Sequence, residues 1–237
     1  MEARTVPARG ARVSADPTAG TDAQRVAFVP SPIADPGPLG LAAFALTTFV
    51  LSMFNAGLVS AKGEPVVFGL ALAYGGVAQV LAGMWEFRTG NTFGAVAFTS
   101  FGAFWLSFWA FAQFYETEVP AADAGHAVGL YLSAWGIFTA YMLVASLRTT
   151  AAIALVFALL TATFIALGVG NAGGTTGIVK LGGWLGLATA AAAWYASFAG
   201  VTNATFGRVV MPVRPKVAFV TTAKDAYHAT IAVTSPT

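Results

Sequence analysis

The chain has 237 residues and a formal net charge of +2, with 57% hydrophobic residues, 9% charged ones and a mean hydropathy of +0.72. Soluble domains average about a quarter charged residues, so a water-soluble globule is excluded. The absence of cysteine removes disulfides, thiolate chemistry and iron–sulfur ligation, and two histidines, His126 and His228, are too few for a paired haem or a His-rich metal site.

No cofactor, resident metal or catalytic cluster is therefore expected. The pI near 9.0 does not point to nucleic acid, because the basic residues fall where membrane topology places them.

Residues 1–34 are rich in Ala, Pro, Arg and Thr, lack hydrophobic periodicity, and read as a disordered cytoplasmic tail. Pro30, Pro32, Pro36 and Pro38 interrupt the stretch after Phe28, so no signal-peptide core is expected. Six runs free of Lys, Arg, Asp and Glu follow, at 36–61, 65–85, 89–115, 124–147, 149–179 and 181–207, each 21 to 31 residues long. About 20 helical residues cross a hydrocarbon core of roughly 30 Å. Runs this long and apolar throughout do not suit barrel strands, which are short and alternate. The expected fold is thus an all-α integral membrane bundle of six helices, with a transport domain over 35–207 and spans near 39–60, 65–85, 93–115, 126–147, 150–170 and 178–200. Residues 208–237 form a second tail, read as a solvated basic flank.

Ten basic residues, Arg4, Arg9, Arg12, Arg25, Arg88, Arg148, Arg208, Arg214, Lys216 and Lys224, fall on the side holding both termini. Only Lys62 and Lys180 fall opposite, beside Glu64, Glu116, Glu118 and Asp123. The positive-inside rule puts both termini in the cytoplasm of a multi-pass protein of the plasma membrane.

The first span opens with Asp35-Pro36-Gly37-Pro38-Leu39-Gly40-Leu41, where the prolines block helix upstream and start one near Pro38. Its free N–H groups suit an anion at the cytoplasmic surface; alternatively Asp35 only caps the helix. In the second span, Tyr74-Gly75-Gly76-Val77-Ala78-Gln79 sets an amide in an apolar helix. Gln79 must face a neighbouring helix or a wet path, and the glycines suit close packing, as do Gly182 and Gly186 later. The turn from Glu86 to Gly94 leads into Thr99-Ser100-Phe101-Gly102, with Asn91 or Thr92 as the helix cap. Glu86 and Arg88 at the membrane edge read as anchors, with subunit pairing or a proton relay as alternatives. Thr47, Thr48 and Asn55, then Ser133, Thr139, Thr161, Thr163 and Asn171, add uncharged polar groups inside the spans. Such an interior passes a small polar solute or weak acid and makes a poor metal site.

These motifs make the chain resemble the acetate uptake transporter family. The resemblance runs from Asp35 to about Pro212 through the opening Pro-Gly-Pro-Leu-Gly-Leu, Tyr74 to Gln79, Gly90-Asn-Thr-Phe-Gly94, Ala97-Phe-Thr-Ser-Phe-Gly102, Tyr131, Trp135-Gly136, Gly170-Asn171, Gly183-Trp184 and Phe206-Gly207-Arg208. It implies a pore in each protomer, a homo-hexamer, and passage of acetate and sometimes succinate. It also implies a hydrophobic constriction of Phe44, Phe101 and Leu160, with Ala193 at a small pore-facing position. The chain departs from the family at Asp35, usually Asn, at Phe101, often Tyr, and at Gly200 and Ala204, where acids are frequent.

The expected function is a permease for acetate or another small carboxylate that selects by size and desolvation and moves a proton with the acid, not an enzyme. Thr47, Thr48, Asn55, Tyr74, Gln79 and Ser100 are the expected polar lining, and Asp35, Pro36, Pro38, Leu39 and Gly40 the expected entrance. The alternatives are a membrane acetate sensor signalling through its tails and a six-helix channel for neutral solutes such as ammonia.

Overall fold

The computed structural model describes residues 33–213; the two tails expected at 1–34 and 208–237 lie mostly outside that range. Six helices long and apolar enough to cross a membrane occur in it: α1 Gly37–Asn55, α2 Val66–Thr89, α3 Thr92–Glu118, α4 Ala121–Ser146, α5 Ala151–Ala172 and α6 Thr176–Phe206.

Local chemistry sets the ends. Asp35 Oδ1 accepts from Gly37 N at 2.8 Å and Pro38 stands in the first turn, so α1 begins where the two prolines direct it. It stops at Asn55 because Gly57 takes φ +74° and Leu58 N returns to Met53 O, a left-handed ending that satisfies the last carbonyls. Gly90, at φ +80°, closes α2, and Asn91 Oδ1 accepts from Gly94 N at 3.1 Å to start α3. Thr150 caps α5 through Ile153 N. After α6, Asn203 Oδ1 accepts from Val210 N and Met211 N, and Tyr195 donates to Pro212 O, folding the following segment back along the helix.

The helices α1, α6, α5 and α4 pack in succession, and α2 pairs with α3 and leans on α1. Small residues set how closely they approach. A Cβ on Gly183 would run into the backbone nitrogen of Ala56, and one on Gly40 would stand 2.6 Å from the Phe98 ring. Both α2 and α3 widen into π-helix, at Ala73–Ala78 and Phe111–Tyr115. In the first of these Gly75 and Gly76 are buried, and a Cβ on Gly75 would meet Thr47 Oγ1 at 2.7 Å and Trp105 Cδ1 at 2.9 Å. The glycine pair thus admits α1 and α3 to the backbone of α2.

α3 meets α4 through rings rather than backbone: Phe104 lies 5.7 Å from Tyr131 and 5.3 Å from Trp135, and Phe101 lies 5.3 Å from Phe138. Large apolar side chains point outward as well, Leu130, Ile137 and Val144 being about two-thirds exposed or more. That is the distribution of a protein whose solvent is lipid, since an apolar exterior has no penalty there.

Candidate functional site

Two cavities lie between the helices, about 320 Å³ on the side where α1 begins and about 460 Å³ on the side where it ends. Phe44 of α1 and Leu160 of α5 border both, so these two side chains stand between them. Phe101 borders the first cavity and lies 5.8 Å from Phe44, ring centre to ring centre. All three are buried, at 5%, 3% and 4% exposure for Phe44, Phe101 and Leu160, and none faces outward. Phe101 is held by ring contacts with Phe138, Phe157 and Phe164, so Leu160 is the one member of the three that is not an aromatic ring.

The first cavity is apolar in its walls and acidic at its mouth. Asp35, Pro38, Gln79 and Glu86 line it, with Ala196 and Gly200 of α6 opposite. Glu86 is not the solvated anchor expected at a membrane edge. It is 2% exposed and turned inward, and its Oε2 accepts from Asn91 Nδ2 at 2.9 Å and Thr89 Oγ1 at 3.2 Å. Asp35 is close: a Cβ on Gly37 would stand 3.0 Å from Asp35 Oδ1 and 3.4 Å from Glu86 Oε1. Gln79 lies seven residues before Glu86, two turns along the same face, and its buried Oε1 has no hydrogen-bond partner.

The second cavity holds Thr48, Asn55, Trp105 and Tyr131, and carries Glu64 and Glu116. Tyr131 shares a 2.7 Å hydrogen bond with Ser107 and donates to Phe104 O. Burial, and then the neighbouring charge of Glu116, raise the Glu64 carboxyl above its ordinary range. The lining expected from sequence was uncharged apart from Asp35 at the entrance; Glu86 in the first cavity and Glu64 and Glu116 in the second add carboxylates to it.

Several expected lining residues are elsewhere. Thr47 is fully buried against Gly75 and donates to Ala43 O, because it sits about 100° round the helix from Thr48. Tyr74, in the widened turn, and Ser100, beside Phe101, border neither cavity. Ala193 is sealed in the core, and its place on the wall is taken by Ala196 one turn on. In the opening motif Asp35 and Pro38 border the first cavity, Pro36 and Gly40 are packed inside, and Leu39 is 45% exposed. Among the described residues no three His, Asp or Glu side chains converge as metal ligands.

Six membrane-length helices around two cavities parted by Phe44 and Leu160 define a multi-pass membrane protein. The chain belongs to the GPR1/FUN34/yaaH family, whose sequence pattern matches residues 20–215. It is 38% identical over 181 residues to the succinate-acetate/proton symporter SatP of Escherichia coli, covering 76% of this chain and 95% of that protein. It is 43% identical over 184 residues to ammonia transport outward protein 2 of Saccharomyces cerevisiae, covering 74% of this chain and 65% of that protein. This chain therefore spans about two-thirds of the length of the yeast relative. The solved bacterial acetate channel SatP is similar in fold, with a TM-score of 0.72, 38% identity, and coverage of 76% of this chain and 99% of that one.

Proposed function

We propose that this protein is a permease for acetate and similarly small monocarboxylates in the plasma membrane, with both termini cytoplasmic and the first cavity open to the cytoplasm. The observation that carries the reading is the apolar neck: Phe44 and Leu160 border both cavities, and Phe101 lies against Phe44. The kinship with a succinate-acetate/proton symporter and an acetate channel supports the same substrate class.

Nothing covalent happens to the solute. A bare carboxylate loses its hydration in an apolar neck at high cost, whereas the undissociated acid loses far less. The neck accordingly passes the neutral acid, and a proton travels with the solute. Asp35 and Glu86 line one cavity, and Glu64 and Glu116 the other, so fixed acidic groups stand beside both sides of the neck and disfavour the bare anion there. Succinate needs both carboxyls protonated before it can follow. Lipid covers the outward apolar faces, and other copies of the chain cover part of them in a homo-hexamer.

Uptake of labelled acetate into liposomes holding the purified protein tests the proposal. Flux should exceed that of empty vesicles and should respond to a pH step imposed across the membrane; flux equal to empty vesicles removes the assignment. The yeast relative's name favours one rival, passage of ammonia. Ammonia release that acetate fails to inhibit would favour that rival.

A further inference from the structure

Helix α6 ends at Phe206, and Gly207, at φ +61°, reverses the chain so that the residues up to Val213 return along the helix. One side chain holds most of this segment. Asn203 Oδ1 accepts from Val210 N at 2.7 Å and from Met211 N at 2.9 Å, and Asn203 Nδ2 donates to Met211 O at 2.9 Å. The amide therefore spends both of its ends on one stretch of backbone, although Asn203 borders the first cavity. Tyr195, about two turns earlier, adds a fourth bond, from its hydroxyl to Pro212 O at 2.7 Å. Val213 follows directly and forms part of the cavity wall.

The start of α1 is attached to α6 in a different way. Ser197 Oγ donates to Pro38 O at 2.7 Å, and a Cβ on Gly200 would stand 2.8 Å from Pro38 Cγ, so close packing seals that junction. The returning segment has no such cover: Val209 is 79% exposed, and the bonds to Val210 N and Pro212 O lie where water competes for the same groups. Hydrogen bonds in that setting contribute little each, and segments held by them open locally while the helices stay folded.

The segment also lies on the way in. Pro38 stands beside Ser197 and Gly200, and Ala56 beside Gly183, so α6 runs antiparallel to α1 and its last turns reach the side where α1 begins. Ala196, Gly200 and Asn203 all border the first cavity and form one stripe of α6, about 10 Å long, with Asn203 at the outer end. We infer that Asn203 is a positioning residue and that residues 208–213 are a latch at the mouth of the first cavity. Bonded to Asn203 and Tyr195, the latch keeps Val213 in the wall and narrows the approach to Ala196; released, it leaves that approach wide. The latch stands on its own geometry, and only the identity of the solute it admits rests on the permease reading.

The chain has no cysteine, so single thiols report on single places. Ala196→Cys sets one on the first cavity's wall and Asn55→Cys one on the second's. In full-length protein in detergent, each is reacted with a water-soluble methanethiosulfonate and the rate is followed by mass spectrometry. Asn203→Leu keeps the branched shape and loses three bonds, and should speed reaction of the first-cavity thiol about tenfold or more. Tyr195→Phe loses one bond at a residue bordering neither cavity, and should speed it about two- to tenfold. The second-cavity thiol should keep its rate in both backgrounds. An unchanged first-cavity rate overturns the latch, and so does equal acceleration of both thiols, which reports loosening of the whole bundle. Acceleration confined to Asn203→Leu overturns it too, since Asn203 is itself a wall residue; should that variant not fold, Tyr195→Phe decides alone. Absence of acetate flux in the unaltered protein overturns the permease reading instead and leaves the latch to the thiol rates.

Discussion

Replacing Leu160 by Ala removes the one neck side chain that is not a ring, and the size of the effect follows from the geometry. Carbon atoms approach to about 3.5–4.0 Å, so a methyl group passing between two rings needs them about 7–8 Å apart. Phe44 and Phe101 are 5.8 Å apart, so the space between them is shut, and passage must go by way of Leu160. A buried Leu→Ala change typically costs about 2.7–5 kcal/mol in stability, increasing with the volume of the void it leaves. Here the new space joins two existing cavities, so the low end, about 3 kcal/mol, is expected. Rejection of a solute one small group larger than acetate is worth about 1–3 kcal/mol in a shaped apolar site, or about ten- to two-hundredfold. Lactate flux relative to acetate flux should therefore rise at least about tenfold in Leu160→Ala. The assay is paired uptake of labelled acetate and lactate into liposomes, using variant protein that elutes as the unaltered protein does on gel filtration. An unchanged ratio in folded variant would refute the assignment of Leu160 to the neck.

Glu64 has its carboxyl raised by burial and by Glu116, so the folded state binds that proton more tightly than the unfolded chain. Stability therefore declines as pH rises from about 4 through the raised value, then levels. Glu64→Gln should unfold at a higher temperature than the unaltered protein at about pH 8 and at the same temperature near pH 4; equal melting across the range would contradict this. Glu86→Ala removes the acceptor of the Asn91 amide, while Thr89 keeps its bond to the carbonyl of residue 86, and should cost about 0.5–1.5 kcal/mol; Glu86→Gln, which keeps an acceptor, should cost less, and thermal unfolding in detergent orders the pair. Gly183→Ala drives a methyl into the backbone of Ala56, with its Cα at 2.6 Å, and should lose about 1–3 kcal/mol by the same measurement.

The spans were legible because a missing charge over twenty or more residues has one physical meaning. So was the start of α1, since two prolines leave the chain few options, and the Asn91 cap, whose side chain suits only a few backbone positions. Phe44, Phe101 and Leu160 were singled out only through family resemblance. A Phe or Leu in a membrane helix looks alike in sequence whether it meets lipid, a neighbour or a pore, and periodicity fades when both faces are apolar. Thr47 and Thr48 were equally opaque, because adjacent residues diverge by about 100° and only packing decides which one reaches a cavity. Glu86 had a signal that was passed over: Gln79, Ala82, Gly83 and Glu86 fall on one helical face, three small or polar positions leading to an acid. An acid in line with small residues points inward, whereas the exposed Arg88 nearby suggested a surface pair. The widened turns of α2 and α3 left no mark beyond the Gly pair.

The segment after α6 has a practical bearing. Asn203 clasps Val210 and Met211, and Val213 forms part of the first cavity's wall. The folded unit therefore does not finish with its last helix. A reporter or affinity handle fused directly after Gly207 would replace part of the first cavity's wall, and altered transport in such a fusion would report the missing strap rather than any defect at the neck. Fusions joined beyond Val213 keep that wall intact.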